Sequence, residues 1–484
     1  MRTFDLLAVI LVLVDAVLLL RFRLAGSLQR FILVAVVLLL VAHLVAEGAR
    51  WQMAPAYLAA LLLCIAGTGI APQGNVSRIA LISGIVLLGI ASIAFSIVLP
   101  VFQLPDPTGK YAVGTTTLEL TDPSRVEDAG SQAGTKRRVV VQLWYPANPS
   151  GKPVARYMKL AETFALTSYR SVVPTNSRID APIATDGAPF PLLLFGGGWR
   201  GRRTESTFLT EDLASHGYVV AAIDHPYNAH RVAFSDGAVV DSTITAAIGG
   251  SFDIAPPAFI QAWDKELAKW IADERFVLDT LLAMNDDSKS RWFHQMNPNE
   301  IGAVGHSFGG SAAVGICSED PRVRAAVNMD GYLFSALDER STGQKLMVIL
   351  EGARVYRSDN PLDKALGTYD FAKLDESLRK FGGYVLFVDG ANHEDFSDQP
   401  LMSPFRRISQ AGTLPAAQTH AIVRAYVQAF FDEALLGQHS ALLEGHSHPY
   451  VAATFERWTS DDPPPMSMTF PITPPGASDL NSKK

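Results

Sequence analysis

The chain predicts an α/β fold: a mostly parallel sheet covered by helices on both faces, preceded by an all-α segment of about four apolar helices. Three observations lead there. Short apolar runs such as Pro191–Phe195, Tyr218–Ile223, Ala325–Met329, Leu346–Leu350 and Tyr384–Val388 recur with helical stretches between most of them. Strands that apolar are buried on both faces, as in a parallel sheet. Residues 301–310 read Ile-Gly-Ala-Val-Gly-His-Ser-Phe-Gly-Gly, a strand entering a glycine-flanked turn and then small residues suited to a helix packed close on a sheet. The first hundred of the 484 residues are overwhelmingly apolar, whereas the remainder has the composition of a soluble domain.

These shifts divide the chain into an apolar segment 1–104, a main domain 105–460 and a Pro/Ser-rich tail 461–484 expected to be loosely ordered. A net charge of −7 argues against a nucleic-acid surface. Cys64 and Cys317 lie in unrelated segments, which excludes a disulfide framework.

The apolar stretches are Leu6–Leu20, Phe31–Ala46, Ala54–Ala71 and Ile79–Phe102. A helix needs about 20 residues to cross the hydrocarbon core, so the first two need flanking residues to complete a span. Arg21 and Arg23 follow the first run, unlike the charge pattern of a cleavable signal peptide. Asp5 and Asp15 are costly in hydrocarbon, but with no partner in mid-span they mark no ion path. The first and third loops carry Arg21, Arg23, Arg30 and Arg78, against Arg2, Arg50 and Lys110 on the opposite side. This bias places the large domain of an integral membrane protein on the non-cytoplasmic side.

The main domain opens with strands at Tyr111–Leu120 and Arg137–Tyr145. The apolar strand Pro191–Phe195 then enters a loop of three glycines, Gly196-Gly-Gly-Trp-Arg-Gly201. Thr207–His216 is helical, residues 226–258 have no sustained period, and Ala262–Met284 carries apolar residues at helical spacing. A closing helix is expected near Ala416–Leu435.

Gly305-His-Ser-Phe-Gly309 has the form of a nucleophile elbow, where the serine sits on a sharp strand-to-helix turn between residues without side chains. Ser307 is therefore the candidate nucleophile. Its hydroxyl needs a base, and the base an orienting acid. Among the 11 histidines, His393 follows the last strong strand in a polar loop, after the serine, as the chain order of α/β-hydrolases requires. His306 is the serine's neighbour and faces elsewhere. Gly445-His-Ser-His448 imitates the elbow but follows no buried strand. Asp330 and Glu351 end successive strands and compete evenly for the acid, with Asp389 a weaker third. Backbone N–H groups for a developing oxyanion come from Phe308 and from Gly198 or Trp199. No metal or organic cofactor is expected.

With these residues placed, residues Tyr111–Phe396 resemble the platelet-activating factor acetylhydrolases of the plasma and intracellular type II group. The resemblance rests on Gly305–Gly310, on Ser318–Gly331, on Asp212-Leu-Ala-Ser-His-Gly-Tyr-Val-Val-Ala-Ala222 and on Asn392-His-Glu-Asp-Phe396. It implies Asp330 as the acid, a catalytic set of Ser307, Asp330 and His393, and Phe308 with Trp199 as oxyanion donors. The family's Ser-His-Gly is Gly196-Gly-Gly198 here, a local departure beside the acyl site. The expected protein is a membrane-anchored serine esterase acting on a lipid or other small ester. The resemblance implies a phospholipid with a short or oxidised acyl chain. An acyltransferase using the same acyl-enzyme, or a membrane receptor on this scaffold, are the alternatives.

Overall fold

A computed structural model describes residues 2–21, 26–66, 74–243, 256–352, 361–444 and 449–459. The tail 461–484 and the Gly445–His448 imitation of the elbow lie outside them. The chain forms two compact units, Met1–Gln103 with Arg156–Thr175 and Leu401–Ser409, and Leu104–Ala155 with Asn176–Pro400 and Gln410–Lys484.

The first unit contains the helices α1 (Thr3–Arg21), α2 (Gly26–Ala46), α3 (Ala54–Ile65) and α4 (Asn75–Val98). Val12, Ala16, Val36, Ala59, Leu63 and Ile85 pack between them, while Phe31, Leu38, Val76 and Leu87 remain exposed. Among the described residues one helix, Val76–Val98, is long and apolar enough to cross a membrane, and Arg30–Ala46 and Trp51–Ile65 are shorter apolar helices. Of about four spans expected, the described residues support one by length and composition. Apolar composition does not mark where a helix stops: α3 has 12 residues, which at about 1.5 Å per residue rise roughly 18 Å, short of a core about 30 Å thick.

Asp5 is also not alone. It is buried against Arg50, and its Oδ1 lies 3.1 Å from His43 Nδ1, with Glu47 Oε2 3.1 Å from the same nitrogen. Asp15 is buried, and among the described residues neither of its carboxylate oxygens has a hydrogen-bond partner.

The second unit is built on the main sheet, whose order is β13-β12-β11-β10-β9-β5-β6-β2-β1-β4-β3. The strands are β1 (Ala112–Val126), β2 (Lys136–Ala147), β3 (Val154–Arg156), β4 (Pro174–Ile179), β5 (Phe190–Gly196) and β6 (Val219–Asp224). A separate hairpin pairs β7 (Arg231–Ala233) with β8 (Val239–Asp241) within the region of no sustained period. The main sheet continues with β9 (Met296–His306), β10 (Val323–Met329), β11 (Lys345–Glu351), β12 (Gly383–Val388) and β13 (Ala453–Trp458).

Strands β6, β5, β9, β10, β11 and β12 run parallel. Successive side chains of a strand point to opposite faces, and the core divides accordingly. Leu192, Leu194 and Ala303 pack with Trp270, Leu278 and Leu281 of the helix Pro256–Asp286. Leu193, Phe195 and Val304 pack with Tyr426, Val427 and Phe430 of the closing helix Ala416–Leu436. Each large apolar side chain buried in this way contributes about 1.5–3 kcal/mol.

An ion-pair cluster ties the β1–β2 hairpin to the first of these helices. Arg137 reaches Glu127 at 2.5 Å and Asp273 at 2.6 Å, and His225 Nδ1 lies 2.9 Å from Asp273. Although burial acts the other way, the Arg137 charge and the His225 hydrogen bond hold Asp273 well below the usual carboxylate range.

Parallel strands deliver the ends of β5, β9, β10, β11 and β12 to one edge of the sheet. In open α/β sheets that carboxyl edge is where ligands bind.

Candidate active site

Ser307 joins β9 to the helix Phe308–Glu319 in a strained conformation, φ 54° and ψ −126°. Its N–H donates to Met329 O at 2.8 Å, and its carbonyl accepts the Gly310 N–H at 2.9 Å. Close packing explains the flanking glycines. A Cβ on Gly305 would collide with the backbone of Gly309, and one on Gly309 with the carbonyls of Gly196 and Gly197. The elbow and the Gly196–Gly201 loop thus touch backbone to backbone.

Asp330 leaves β10 with φ 59°, and its N–H donates to Ile349 O at 2.7 Å. Its carboxylate is nearly buried, and Oδ2 lies 2.7 Å from His393 Nδ1. On the other side of the ring, Nε2 is 3.0 Å from Ser307 Oγ. The structure therefore brings together Ser307, His393 and Asp330, residues far apart in sequence, within one chain of hydrogen bonds.

Of the competing acids, Glu351 stands next to this chain. Its backbone N–H donates to Asp330 Oδ1 at 3.0 Å. Burial first, and then the neighbouring Asp330 charge, push its carboxyl up to about 7. Asp389 turns toward Gly352, whose hypothetical Cβ would lie 2.6 Å from Asp389 Oδ1. Burial opposes a charge on His393, but the hydrogen bond and charge of Asp330, with Glu394 and Glu351 beyond, raise the imidazole to about 9.

The Gly198 N–H is spent on Glu205 Oε1 at 2.9 Å. Among the described residues the Trp199 and Phe308 amides have no protein acceptor. Their side chains meet edge to face, ring centroids 5.1 Å apart. Beside them a cavity of about 430 Å³ opens onto Ser307 and His393, walled by Trp199, Trp263, Phe308 and Phe334. Asp370 shapes this wall by accepting the N–H groups of Leu333 at 3.0 Å and Phe334 at 3.2 Å. Burial pushes its carboxyl up to about 7.

Sequence reasoning missed two features. Asp370 carries no motif. His306 does not face away idly: its ring lies against that of His393, centroids 4.6 Å apart, and it contacts Glu205. A histidine at the variable position of the elbow was the one signal available. As for metal sites among the described residues, ligand-type atoms of Asp5, His43 and Glu47 lie within 4.8 Å of one another. Arg2 and Arg50 already supply positive charge there.

Comparison with known proteins places the chain in a family. The family described as platelet-activating factor acetylhydrolase, isoform II, matches residues 97–236 and 285–435. A probable 1-alkyl-2-acetylglycerophosphocholine esterase of Arthroderma benhamiae is 26% identical over 418 residues, covering 78% of this chain and 99% of the relative. The platelet-activating factor acetylhydrolase of Cavia porcellus is 22% identical over 321 residues, covering 61% and 69%. Among solved structures, a ferulic acid esterase from Streptomyces cinnamoneus has a TM-score of 0.57 and 29% identity, covering 73% of this chain and 99% of that one. Esterases recur throughout, and the family match takes in well over half of the chain. The chain is a carboxylic ester hydrolase and belongs to the platelet-activating factor acetylhydrolase isoform II family of the α/β-hydrolase superfamily.

Proposed function

We propose that the chain is a membrane-anchored serine esterase of lipid esters, working through an acyl-enzyme on Ser307. The observation that carries this reading is the unbroken relay from Ser307 Oγ to His393 Nε2 at 3.0 Å and from His393 Nδ1 to Asp330 Oδ2 at 2.7 Å. His393 takes the hydroxyl proton as Ser307 attacks the ester carbonyl, and Asp330 stabilises the imidazolium that forms. The free amides of Trp199 and Phe308 receive the negative oxygen, each such donor being worth about 2.7–4 kcal/mol. His393 returns the proton to the departing alcohol. Water, activated by the same imidazole, then releases the acid.

The apolar helix Val76–Val98 supports the anchor. The names of the relatives support a phospholipid-like ester with a short acyl chain. The cavity extends that range. An acetyl group has three heavy atoms and, at about 30 Å³ for each water-sized unit, fills roughly 100 Å³, whereas the cavity holds about 430 Å³.

A panel of p-nitrophenyl esters and phospholipids of increasing sn-2 chain length tests this. We expect kcat/KM to rise roughly tenfold or more from acetyl to hexanoyl, as methylenes enter an apolar pocket. A maximum at acetyl would refute the role given to the cavity. Run on membranes washed at alkaline pH, the same assay should find the activity in the pellet, and activity in the supernatant would contradict the anchor. Adding an alcohol acceptor and finding transfer rather than free acid would turn the reading to an acyltransferase.

A further inference from the structure

His306 and Glu205 take no part in the chemistry above, yet both are buried at its centre, their side chains 3% and 16% exposed. Glu205 Oε1 accepts the Gly198 N–H at 2.9 Å and lies 2.5 Å from His306 Nδ1. Its Oε2 accepts the Arg202 N–H at 3.3 Å. The other ring nitrogen of His306, Nε2, lies 2.9 Å from the backbone carbonyl oxygen of His393.

A carboxylate and a carbonyl accept hydrogen bonds, so both nitrogens of the His306 ring face acceptors, one the Glu205 carboxylate and the other the main chain of the base. Two backbone N–H groups directed at Glu205 favour its charged form. Despite burial, the His306 hydrogen bond and charge keep that carboxyl below its ordinary range.

We propose that Glu205 and His306 are a positioning pair, locking the Gly196–Gly201 loop and the His393 loop onto the elbow that carries Ser307. The pair hydrogen-bonds to none of the reacting atoms, although the His306 ring lies against that of His393. It acts through the Trp199 amide, one residue beyond the Gly198 N–H it holds, and through the backbone of His393. The same two loops are joined a second time. The Asp398 N–H donates to Glu205 O at 2.7 Å. The Asp398 carboxylate accepts the N–H groups of Thr207 at 2.7 Å and Phe208 at 3.1 Å. The inference rests on the reading of Ser307, His393 and Asp330 as the reacting set.

The test uses full-length E205Q, H306Q and the double variant. Neither glutamine reproduces the bridge: E205Q loses the charge and one acceptor, and a glutamine at 306 cannot set a ring nitrogen against each acceptor. Incubation to completion with a fluorophosphonate counts reactive Ser307, and a soluble p-nitrophenyl ester then gives kcat per titrated site. A displacement of about 1 Å costs on the order of 10²-fold, so we expect kcat per site to fall about 100-fold in each single variant. KM should stay within about threefold, and the double variant should lose no more than either single one, as one joint broken twice.

A merely structural role would lower the titratable fraction and leave kcat per site unchanged, which would overturn the proposal. Losses that multiply in the double variant would overturn it too. If H306Q does not accumulate, E205Q alone decides by the same kcat per site. Failure of the underlying reading looks different: the parent protein itself would not titrate at Ser307.

Discussion

Replacing Ser307 with Ala is expected to lower kcat by a factor on the order of 10⁶, the loss seen when a relay acting as a unit loses its nucleophile. The expectation follows from the geometry of the elbow. Ser307 Oγ is the atom that faces His393 Nε2, at 3.0 Å, and the glycine packing around it keeps the turn in place whatever the side chain. The S307A variant should fold as the parent does, because the φ of 54° is imposed by contacts that the hydroxyl does not make. The remaining turnover would come from the oxyanion amides and substrate binding. Turnover kcat of S307A on a p-nitrophenyl ester, with circular dichroism to verify folding, checks this. A loss of less than about tenfold would place the nucleophile elsewhere.

The second large effect separates the two acids. Asp330→Asn should lower kcat by about 10⁴-fold, since an amide beside His393 Nδ1 favours the wrong tautomer and no longer stabilises the imidazolium. Glu351→Gln should lower it by about tenfold at most, because the Glu351 contribution to Asp330 is a backbone N–H that the substitution keeps.

The pH profile distinguishes the variants further. Imidazolium cannot accept a proton, so the active form of His393 accumulates as pH rises. With His393 raised to about 9, kcat/KM should climb well beyond the ordinary histidine value of about 6.5. Glu351, raised to about 7 by burial and then by Asp330, becomes charged over the same interval and favours the imidazolium. The acid limb therefore belongs to the coupled pair, and E351Q should shift it toward lower pH. A limb that stays put, or an E351Q loss as deep as that of D330N, would contradict the assignment.

Most of the parallel sheet was legible because its strands are apolar on both faces and its elbow demands glycine by close approach. Strands β3, β4 and β13 were not: all lie at or near the sheet edges, and β3 and β4 bury only a minority of their residues. The choice between Asp330 and Glu351 lay beyond spacing. Met329 pairs with Ile349 in parallel register, so both acids emerge at the same edge, and only the φ of 59° at Asp330 and the reach of His393 separate them. The Glu205–His306 contact joins residues 101 positions apart, with no local pattern to announce it. In the apolar segment hydropathy sums residues without locating helix ends, as α3 shows.

The most direct measurement is peptide mapping by mass spectrometry after the full-length protein has reacted with a fluorophosphonate. The account predicts one stoichiometric adduct, on Ser307, forming in step with the loss of esterase activity and failing to form in D330N on the same timescale. An adduct on another residue, or ester hydrolysis that persists in fully labelled protein, would contradict it.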